Sequence, residues 1–118
     1  MDRVEQCTQE LIRAIQQSSE YTGFCAAREK LRTEPQLRRE VNEFRLGVFA
    51  VQNSQEPIDQ YEEQQRLCRE GEKFKKNPLV YEFLHTELAV CRLLQKTAVD
   101  IIKAVDLDID EIAERIGL

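Results

Sequence analysis

The sequence predicts an all-α protein, a multihelical antiparallel bundle with one long helix in its C-terminal half. Apolar residues recur at spacings of three and four along most of the chain, which is the period of an amphipathic α-helix. Only 4 glycines and 3 prolines occur in 118 residues, so long stretches lack the residues that interrupt helices. At this length we expect a single helical domain over residues 1–118.

The composition narrows the class of protein further. Charged residues make up 33% of the chain and hydrophobic residues 42%, a balance typical of a soluble protein with charged helix faces. A formal charge of −5 argues against general binding to nucleic acid or to anionic membranes. No apolar run approaches the roughly 20 residues of a membrane span, and the N-terminus lacks a secretion signal. We therefore expect a cytoplasmic protein with reduced thiols.

Two amphipathic helices are predicted at the start of the chain. The apolar stripe of the first consists of Val4, Cys7, Leu11 and Ile15. Ser18 provides an N-cap for the second helix, because its hydroxyl can accept from a free backbone N–H. The apolar positions of the second helix are Tyr21, Phe24, Ala27 and Leu31. One continuous bent helix over residues 2–32 is the alternative.

A third helix is predicted to begin near Thr33, because Thr33 and Gln36 have the spacing of a capping box. Pro35 is favourable in the first turn of such a helix. Its stripe consists of Leu37, Val41, Phe44, Val48 and Val51. Residues 58–75 then predict a highly charged helix that is outer or mobile, and Gly71 is expected to fray its end. The thin stripe of this fourth helix consists of Ile58, Tyr61, Gln65 and Cys68. Whether residues 58–75 form a docking surface is left open by the sequence.

The longest helix begins at Asn77-Pro78, an N-cap followed by proline in the first turn. Its stripe consists of Val80, Leu84, Glu87, Cys91, Leu94, Ala98, Ile101 and Val105. A helix over 78–105 is about 42 Å long, whereas a compact domain of this size is roughly 35 Å across. The helix is expected to pack against the one that begins at Thr33 and to extend beyond its own subunit. Because an exposed apolar stripe is poorly tolerated in water, we expect self-association, most simply a homodimer. A last short helix is predicted from Asp108 to Gly117, with Asp108 as its N-cap.

Few residues suggest catalysis. His85 is the only histidine, and its one acidic neighbour on the helix is Glu82, so we interpret it as a solvated histidine rather than a catalytic one. The chain contains no phosphate-binding loop, nucleophile elbow, zinc-protease motif or EF-hand loop. We therefore predict that the protein is not an enzyme.

The 4 cysteines are isolated in the sequence, without the close pairs of a zinc site. Cys7 and Cys91 fall on apolar stripes and are interpreted as packing residues. Cys25 and Cys68 lie nearer the helix flanks and are the candidates for reachable thiols or iron–sulfur ligands. No cofactor or metal is expected within one chain.

Basic residues occur in three small groups, each of them close to glutamates. The groups are residues 28–32, Arg38-Arg39 and residues 73–76. A solvated helix face is the simplest interpretation. If the groups converge in the fold, they offer contacts to RNA phosphates or to an acidic partner.

Two stretches of the chain resemble the bacterial YlbF/YmcA family of small helical regulators, which includes the YheA-like proteins. The resemblance covers roughly residues 3–105. The first stretch consists of Ser19–Phe24, Ala27, Leu31, Glu34-Pro35 and Glu43–Arg45, and the second of Asn77–Leu84, Glu87 and Leu93-Leu94. A Gln- and Glu-rich helix lies between them, in the same order as in the family.

The resemblance implies an all-α fold that associates as dimers or larger oligomers in the bacterial cytoplasm. It also implies a role without catalysis, in complexes that control competence, biofilm formation, sporulation or RNA processing through RNase Y. Some members contribute cysteines, including those of a C-terminal tail, to shared iron–sulfur clusters. The cysteines of this chain lie in predicted helices instead, so cluster binding is not expected.

The leading hypothesis is a non-enzymatic regulatory adaptor that acts by protein–protein interaction. Its expected partners are a second copy, other family members or an RNase Y-associated complex, with no membrane and no direct nucleic acid. The predicted packing or interface residues are Phe44, Val48, Phe83, Leu84, Leu88 and Leu94. The alternative is an iron–sulfur or thiol redox-sensing subunit of a multiprotein complex. An RNA-binding accessory protein is a third interpretation.

Overall fold

The structure is a computed structural model. It describes residues 2–53, 57–113 and 115, and for residues 57–60 it describes the backbone alone. The helices are α1 (Arg3–Gln16), α2 (Ser19–Arg32), α3 (Pro35–Asn53), α4 (Pro57–Lys75), α5 (Pro78–Ala104) and α6 (Asp110–Ala113). These ranges contain no β-strand, so the all-α prediction is confirmed. None of the described helices is long and apolar enough to cross a membrane.

Helix α5 packs most extensively against α2, and the two run antiparallel. Gly23 on α2 lies opposite Thr86, and Lys30 forms an ion pair of 3.6 Å with Glu82.

The sequence predicts packing of α5 against the helix that begins near Thr33; α3 does contact α5 through side chains, but the main partner of α5 is α2. Helix α3 reaches α5 through the long side chains of Arg38 and Arg45, which lie over the ring of Phe83, whereas Phe24 of α2 packs directly on that ring.

Helices α3 and α4 form a second antiparallel pair. The rings of Phe44 and Phe74 meet edge to face, with centroids 5.4 Å apart. Gly71 lies against the ring of Phe44, which is 3.7 Å from the position of an added Cβ. The prediction that this glycine frays the helix is wrong, because α4 continues to Lys75.

The predicted apolar stripe of α4 is also wrong for the residues whose side chains the structure describes. Tyr61, Gln65 and Cys68 are exposed, and the buried positions are Leu67 and Phe74. The side chain of Ile58 lies outside the described residues. The buried face of α4 includes Gly71. A glycine has no side chain and is not counted in an apolar stripe, so the pattern does not predict Gly71 as a packing position.

Four of the helices contribute to one core. Its buried members are Ala27, Leu31, Val41, Phe74, Val80 and Phe83. Half-buried apolar side chains surround them, namely Phe24, Leu37, Phe44, Leu79 and Leu84. Neither α1 nor α6 contributes a buried residue, so the core lies at the end of the molecule where α5 begins.

Polar caps fix two of the helix starts as the sequence predicts. Ser18 accepts a hydrogen bond of 3.2 Å from the backbone N–H of Tyr21, which separates α1 from α2 and excludes one continuous helix. The Asn77 side chain accepts hydrogen bonds from the backbone N–H groups of Leu79 and Val80. Each cap satisfies N–H groups that would otherwise be unpaired.

Two predicted caps are absent. Thr33 has helical backbone angles and ends α2, and its hydroxyl donates to the Lys30 carbonyl at 2.7 Å instead of capping α3. At the C-terminal end, the Asp106 carboxylate accepts from the Asp108 N–H at 2.8 Å, and α6 begins at Asp110. The predicted end of the last helix at Gly117 lies outside the described residues.

The molecule is elongated, with principal extents of 49 × 40 × 22 Å. Its radius of gyration is 18.7 Å, compared with roughly 13 Å for a compact domain of about 100 residues. Helix α5 has 27 residues and is therefore about 40 Å long. Beyond Cys91, most of its residues are exposed on every side, so α5 extends past the core as the sequence predicts.

Candidate functional site

The six residues predicted as packing or interface positions divide into two groups in the structure. Phe83 is completely buried, and Phe44, Val48 and Leu84 are half-buried around the core. Leu88 and Leu94 are exposed. The first group therefore stabilises the fold of one chain, whereas the second is free to contact another molecule.

Many exposed apolar side chains lie on what we call the arm, which is α1 together with residues 92–105, the end of α5 and its C-cap. Its exposed apolar side chains are Val4, Leu11, Ile12, Leu94, Val99, Ile101, Ile102 and Val105. Leu94 retains 48%, Ile101 51% and Ile102 70% of their accessible surface. Because exposed apolar patches of this extent mark interaction sites on soluble proteins, the arm is the first candidate surface.

The two helices of the arm lie beside each other. A shallow groove of about 420 Å³ is lined by Val4, Cys7 and Leu11 of α1 and by Ile101 of α5. Helix α1 approaches α5 around Ile101, but the two are not among the closely packed helix pairs of the molecule. The apolar side chains of the arm are therefore largely uncovered.

The second candidate surface is built from three arginines, Arg28, Arg38 and Arg45, which we call the arginine cluster. Arg38 lies over the ring of Phe83 with its guanidinium carbon 4.6 Å from the centroid, and Arg45 lies 5.3 Å from the same centroid. Arg28 lies 5.6 Å over Phe24. The rings of Phe24 and Phe83 are themselves 5.4 Å apart, so aromatic stacking brings the three cations together.

Positive charge in the arginine cluster is only partly compensated. Burial, and then the nearby charges of Arg45, Arg32 and Arg28, lower the pKa of Arg38 below its usual value, while Glu87 opposes the shift. The Nη1 atom of Arg38 is buried without a hydrogen-bond partner. Arg45 forms an ion pair of 2.8 Å with Glu87 of α5, and Nε of Arg28 lies 3.9 Å from the carboxylate of Glu29.

A groove lies between α3 and α5, next to the arginine cluster, with a volume of about 700 Å³. We call it the α3/α5 groove. Its lining includes Arg45, Leu46, Phe49, Leu84 and Cys91. Leu46 and Phe49 are exposed. The groove therefore combines an apolar floor with the Arg45–Glu87 ion pair at one end.

Comparison with known proteins places the chain in a family. A family model described as "Control of competence regulator ComK, YlbF/YmcA" matches residues 4–106. The chain belongs to the YlbF/YmcA family. The match spans α1 to α5 and both candidate surfaces. No curated protein and no solved structure matches the chain.

Membership of the YlbF/YmcA family assigns the chain to a group described by its control of a regulator. A regulatory role is consistent with surfaces made of apolar stripes and charged side chains. His85, the only histidine, is exposed and stacks on Tyr81 with ring centroids 5.8 Å apart.

The cysteines of this YlbF/YmcA member do not form a group. Cys7 and Cys91, predicted as packing residues, are exposed in the single chain, and that interpretation is wrong because both lie on the part of their stripes that no other helix covers. Cys68 is exposed and Cys25 is half-buried, with its Sγ 3.7 Å from Nη2 of Arg28. Among the described residues, which include every cysteine, no three His, Cys, Asp or Glu side chains are placed to hold a metal ion.

The arginine cluster was only partly accessible to sequence reasoning. Arg28 and Arg38 belong to basic groups that the sequence marks as potentially convergent, and the structure brings these two groups together. Arg45 was missed as a member, although it follows Arg38 by seven positions and therefore lies on the same face of α3. The basic group at residues 73–76 has no member in the cluster.

Proposed function

We propose that this chain is a non-enzymatic regulatory adaptor that works as a homodimer in the cytoplasm. The observation that carries the proposal is the uncovered apolar stripe of the arm, on which Leu94, Ile101 and Ile102 are exposed. Burial of apolar surface contributes about 25 cal/mol per Å², so a partner that covers this stripe is strongly favoured over water.

A second copy is the occupant that the shape of the arm supports. Helix α1 and the end of α5 present apolar side chains around one shallow groove, and a second copy of both helices would complete a four-helix arrangement. A twofold axis brings an identical pair onto this groove, so each arm covers the other. Spacings of three and four along α5, from Leu94 through Ala98 and Ile101 to Val105, suit helices that cross at a shallow angle.

The adaptor role rests on the surface of the chain outside the arm. In a homodimer of this kind, the half of each chain that contains the core extends away from the paired arms. Its charged α4 surface stays accessible to a partner. We propose other members of the YlbF/YmcA family, or an RNase Y-associated complex, as the partners.

Light scattering of the purified chain tests the proposal. We expect a mass of two chains at micromolar concentration for the wild type and of one chain for Leu94→Asp and Ile101→Asp. Both side chains are half exposed in the single chain, so these variants should keep their helical content. Tyr81→Asp is the matched control, since Tyr81 is an exposed apolar residue of α5 outside the arm. A monomeric wild type would refute the homodimer.

The redox alternative is tested separately by purifying the protein without oxygen and measuring its iron content and visible absorption. An adaptor without a cofactor is expected to be colourless and free of iron. Iron in a fixed ratio to protein, with visible absorption lost in variants of Cys25 or Cys68, would favour an iron–sulfur subunit built between chains. RNA affinity that falls steeply with added salt would instead favour the RNA-binding interpretation.

A further inference from the structure

The chain carries an acidic, apolar stretch directly after α5, which we call the C-terminal segment and define as residues 106–113. Its acidic residues are Asp106, Asp108, Asp110 and Glu111, and it contains no basic residue. Its apolar side chains Leu107, Ile109 and Ile112 are all exposed. The match to the family model ends at residue 106, so almost the whole segment lies outside the matched region.

The α3/α5 groove has the complementary composition. Exposed Leu46 and Phe49 offer apolar surface. At one end of the groove Arg45 forms an ion pair with Glu87, which also lines it, and Arg38 lies over the same Phe83 ring as Arg45. Arg45 is the member of the cluster that lines the groove, and burial together with the charges of Arg45, Arg32 and Arg28 lowers the pKa of Arg38. A carboxylate of an apolar peptide at this end of the groove is therefore close to several positive charges, and charged hydrogen bonds to arginine are among the strong ones.

We propose that the α3/α5 groove of each protomer binds the C-terminal segment of a second copy of the chain. Apolar side chains of the segment contact the floor of the groove, and its carboxylates face the arginine cluster. This inference rests on the proposed homodimer and adds a reciprocal exchange of the two C-terminal segments to it.

The geometry of the arm directs the segment to the groove. If two α5 helices cross antiparallel at Ala98, Val105 of one protomer lies beside Cys91 of its partner, because both residues are equally far from the crossing point. Cys91 lines the groove, and α5 ends at Ala104. The chain that continues after Val105 therefore enters the partner's groove with no loop to cross.

The small side chain at position 98 supports this crossing point. Ala98 is exposed and is flanked on the same stripe by Leu94 and Ile101. Small residues allow two helix axes to approach closely. Within one chain, by contrast, the segment must reverse direction and run back about 21 Å along α5 to reach its own groove.

A disulfide cross-link tests the proposal with the full-length chain. The variant keeps Cys91 in the groove, replaces Cys7, Cys25 and Cys68 by serine, and adds Ile109→Cys in the segment. Ile109 is exposed in the single chain, so this change leaves the core intact. On mild oxidation with diamide we expect a covalent dimer on a non-reducing gel, because a disulfide requires Cα atoms within about 7 Å.

The matched control keeps Cys68 instead of Cys91 and carries the same Ile109→Cys change. Cys68 is an exposed thiol on α4 that does not line the groove, so no covalent dimer is expected from it. Asp110→Lys with Glu111→Lys, added to the Cys91 variant, is expected to slow cross-linking several-fold because it reverses the charge facing the arginine cluster.

The outcomes separate this proposal from the homodimer on which it rests. A disulfide within one chain, or no disulfide in a protein that light scattering shows to be dimeric, overturns the segment exchange and leaves the homodimer standing. A monomeric wild type overturns both. Equal cross-linking from Cys68 and Cys91 shows random collision and also overturns the exchange.

Discussion

Gly47 on α3 lies directly against Leu67 on α4, so that a Cβ added to the glycine would be 2.9 Å from Cδ2 of Leu67. That separation is shorter than a normal contact between carbon atoms. Leu67 is buried, and its position depends on the missing side chain at residue 47. The close approach explains how α4, a helix rich in charged residues, gains a place beside α3.

Alanine substitutions at two glycines are expected to differ in sign. Gly23→Ala should stabilise the protein by about 1 kcal/mol, the usual difference in helix propensity, since its nearest neighbour, Cγ2 of Thr86, would be 3.8 Å away. Gly47→Ala gains the same propensity but displaces Leu67, and we expect no net gain or a loss of about 1 kcal/mol. Thermal unfolding measures both, and a Gly47→Ala protein as stable as Gly23→Ala would contradict the packing of α3 on α4.

Truncation of two α5 residues should separate packing from interface positions. Phe83 is fully buried beneath two arginines and beside Phe24, so Phe83→Ala is expected to cost about 3–5 kcal/mol of unfolding free energy. Leu88 is exposed on the same helix, and Leu88→Ala should change the stability of the monomer by less than about 1 kcal/mol. Both variants are measured by urea denaturation in the Leu94→Asp background, in which dimerisation does not contribute to stability. Similar losses of unfolding free energy for the two variants would refute Phe83 as a packing residue and Leu88 as an exposed one.

The starts of α2 and α5 and the main stripe of α3 were predictable from the sequence because they depend on local chemistry. The cap at Asn77 requires only a side-chain oxygen near the first free N–H groups. Val41 is buried where the stripe of α3 predicts it. Such features need no knowledge of which helix lies opposite.

The partners of each helix were not predictable, because they depend on contacts between helices that are distant in the sequence. Phe24 of α2 packs directly on Phe83 of α5, and Gly71 lies against the ring of Phe44 on the buried face of α4. Phe83, placed beside the main stripe by the pattern, is the centre of the core because aromatic and arginine side chains from two other helices converge on it. The apolar periodicity describes each helix separately, so it does not predict contacts between side chains of different helices.

Removing the charge of Arg38 and removing that of Arg45, the two arginines over Phe83, should change the free energy of unfolding by different amounts. The folded-state pKa of Arg38 is lowered, so its charge opposes folding at every pH below that pKa, including neutral pH. Arg38→Met removes this cost and keeps an apolar stem on the ring, although it loses a cation–π contact of about 0.5–1 kcal/mol. We expect its stability to remain within about 1 kcal/mol of the wild type.

Arg45→Met is the comparison for Arg38→Met. This change removes the ion pair with Glu87 and the hydrogen bond of 3.1 Å to Asn42, and it leaves a half-buried carboxylate unpaired. The expected cost is about 1–3 kcal/mol, measured by urea denaturation. A larger cost for Arg38→Met than for Arg45→Met would show that the charge of Arg38 is compensated in solution.

Labelling of the cysteines should report whether the arm is covered. Cys7 lines the groove between α1 and α5 and is exposed in the single chain, so a second arm that covers this groove must slow its reaction. We expect Cys7 to react with a maleimide several-fold more slowly in the wild type than in Leu94→Asp. Cys68 on α4 is outside the arm and serves as the internal control, because its rate should be the same in both proteins. If Cys7 reacts equally fast in both while Cys68 is unchanged, the arm is uncovered in solution and the two chains do not meet there.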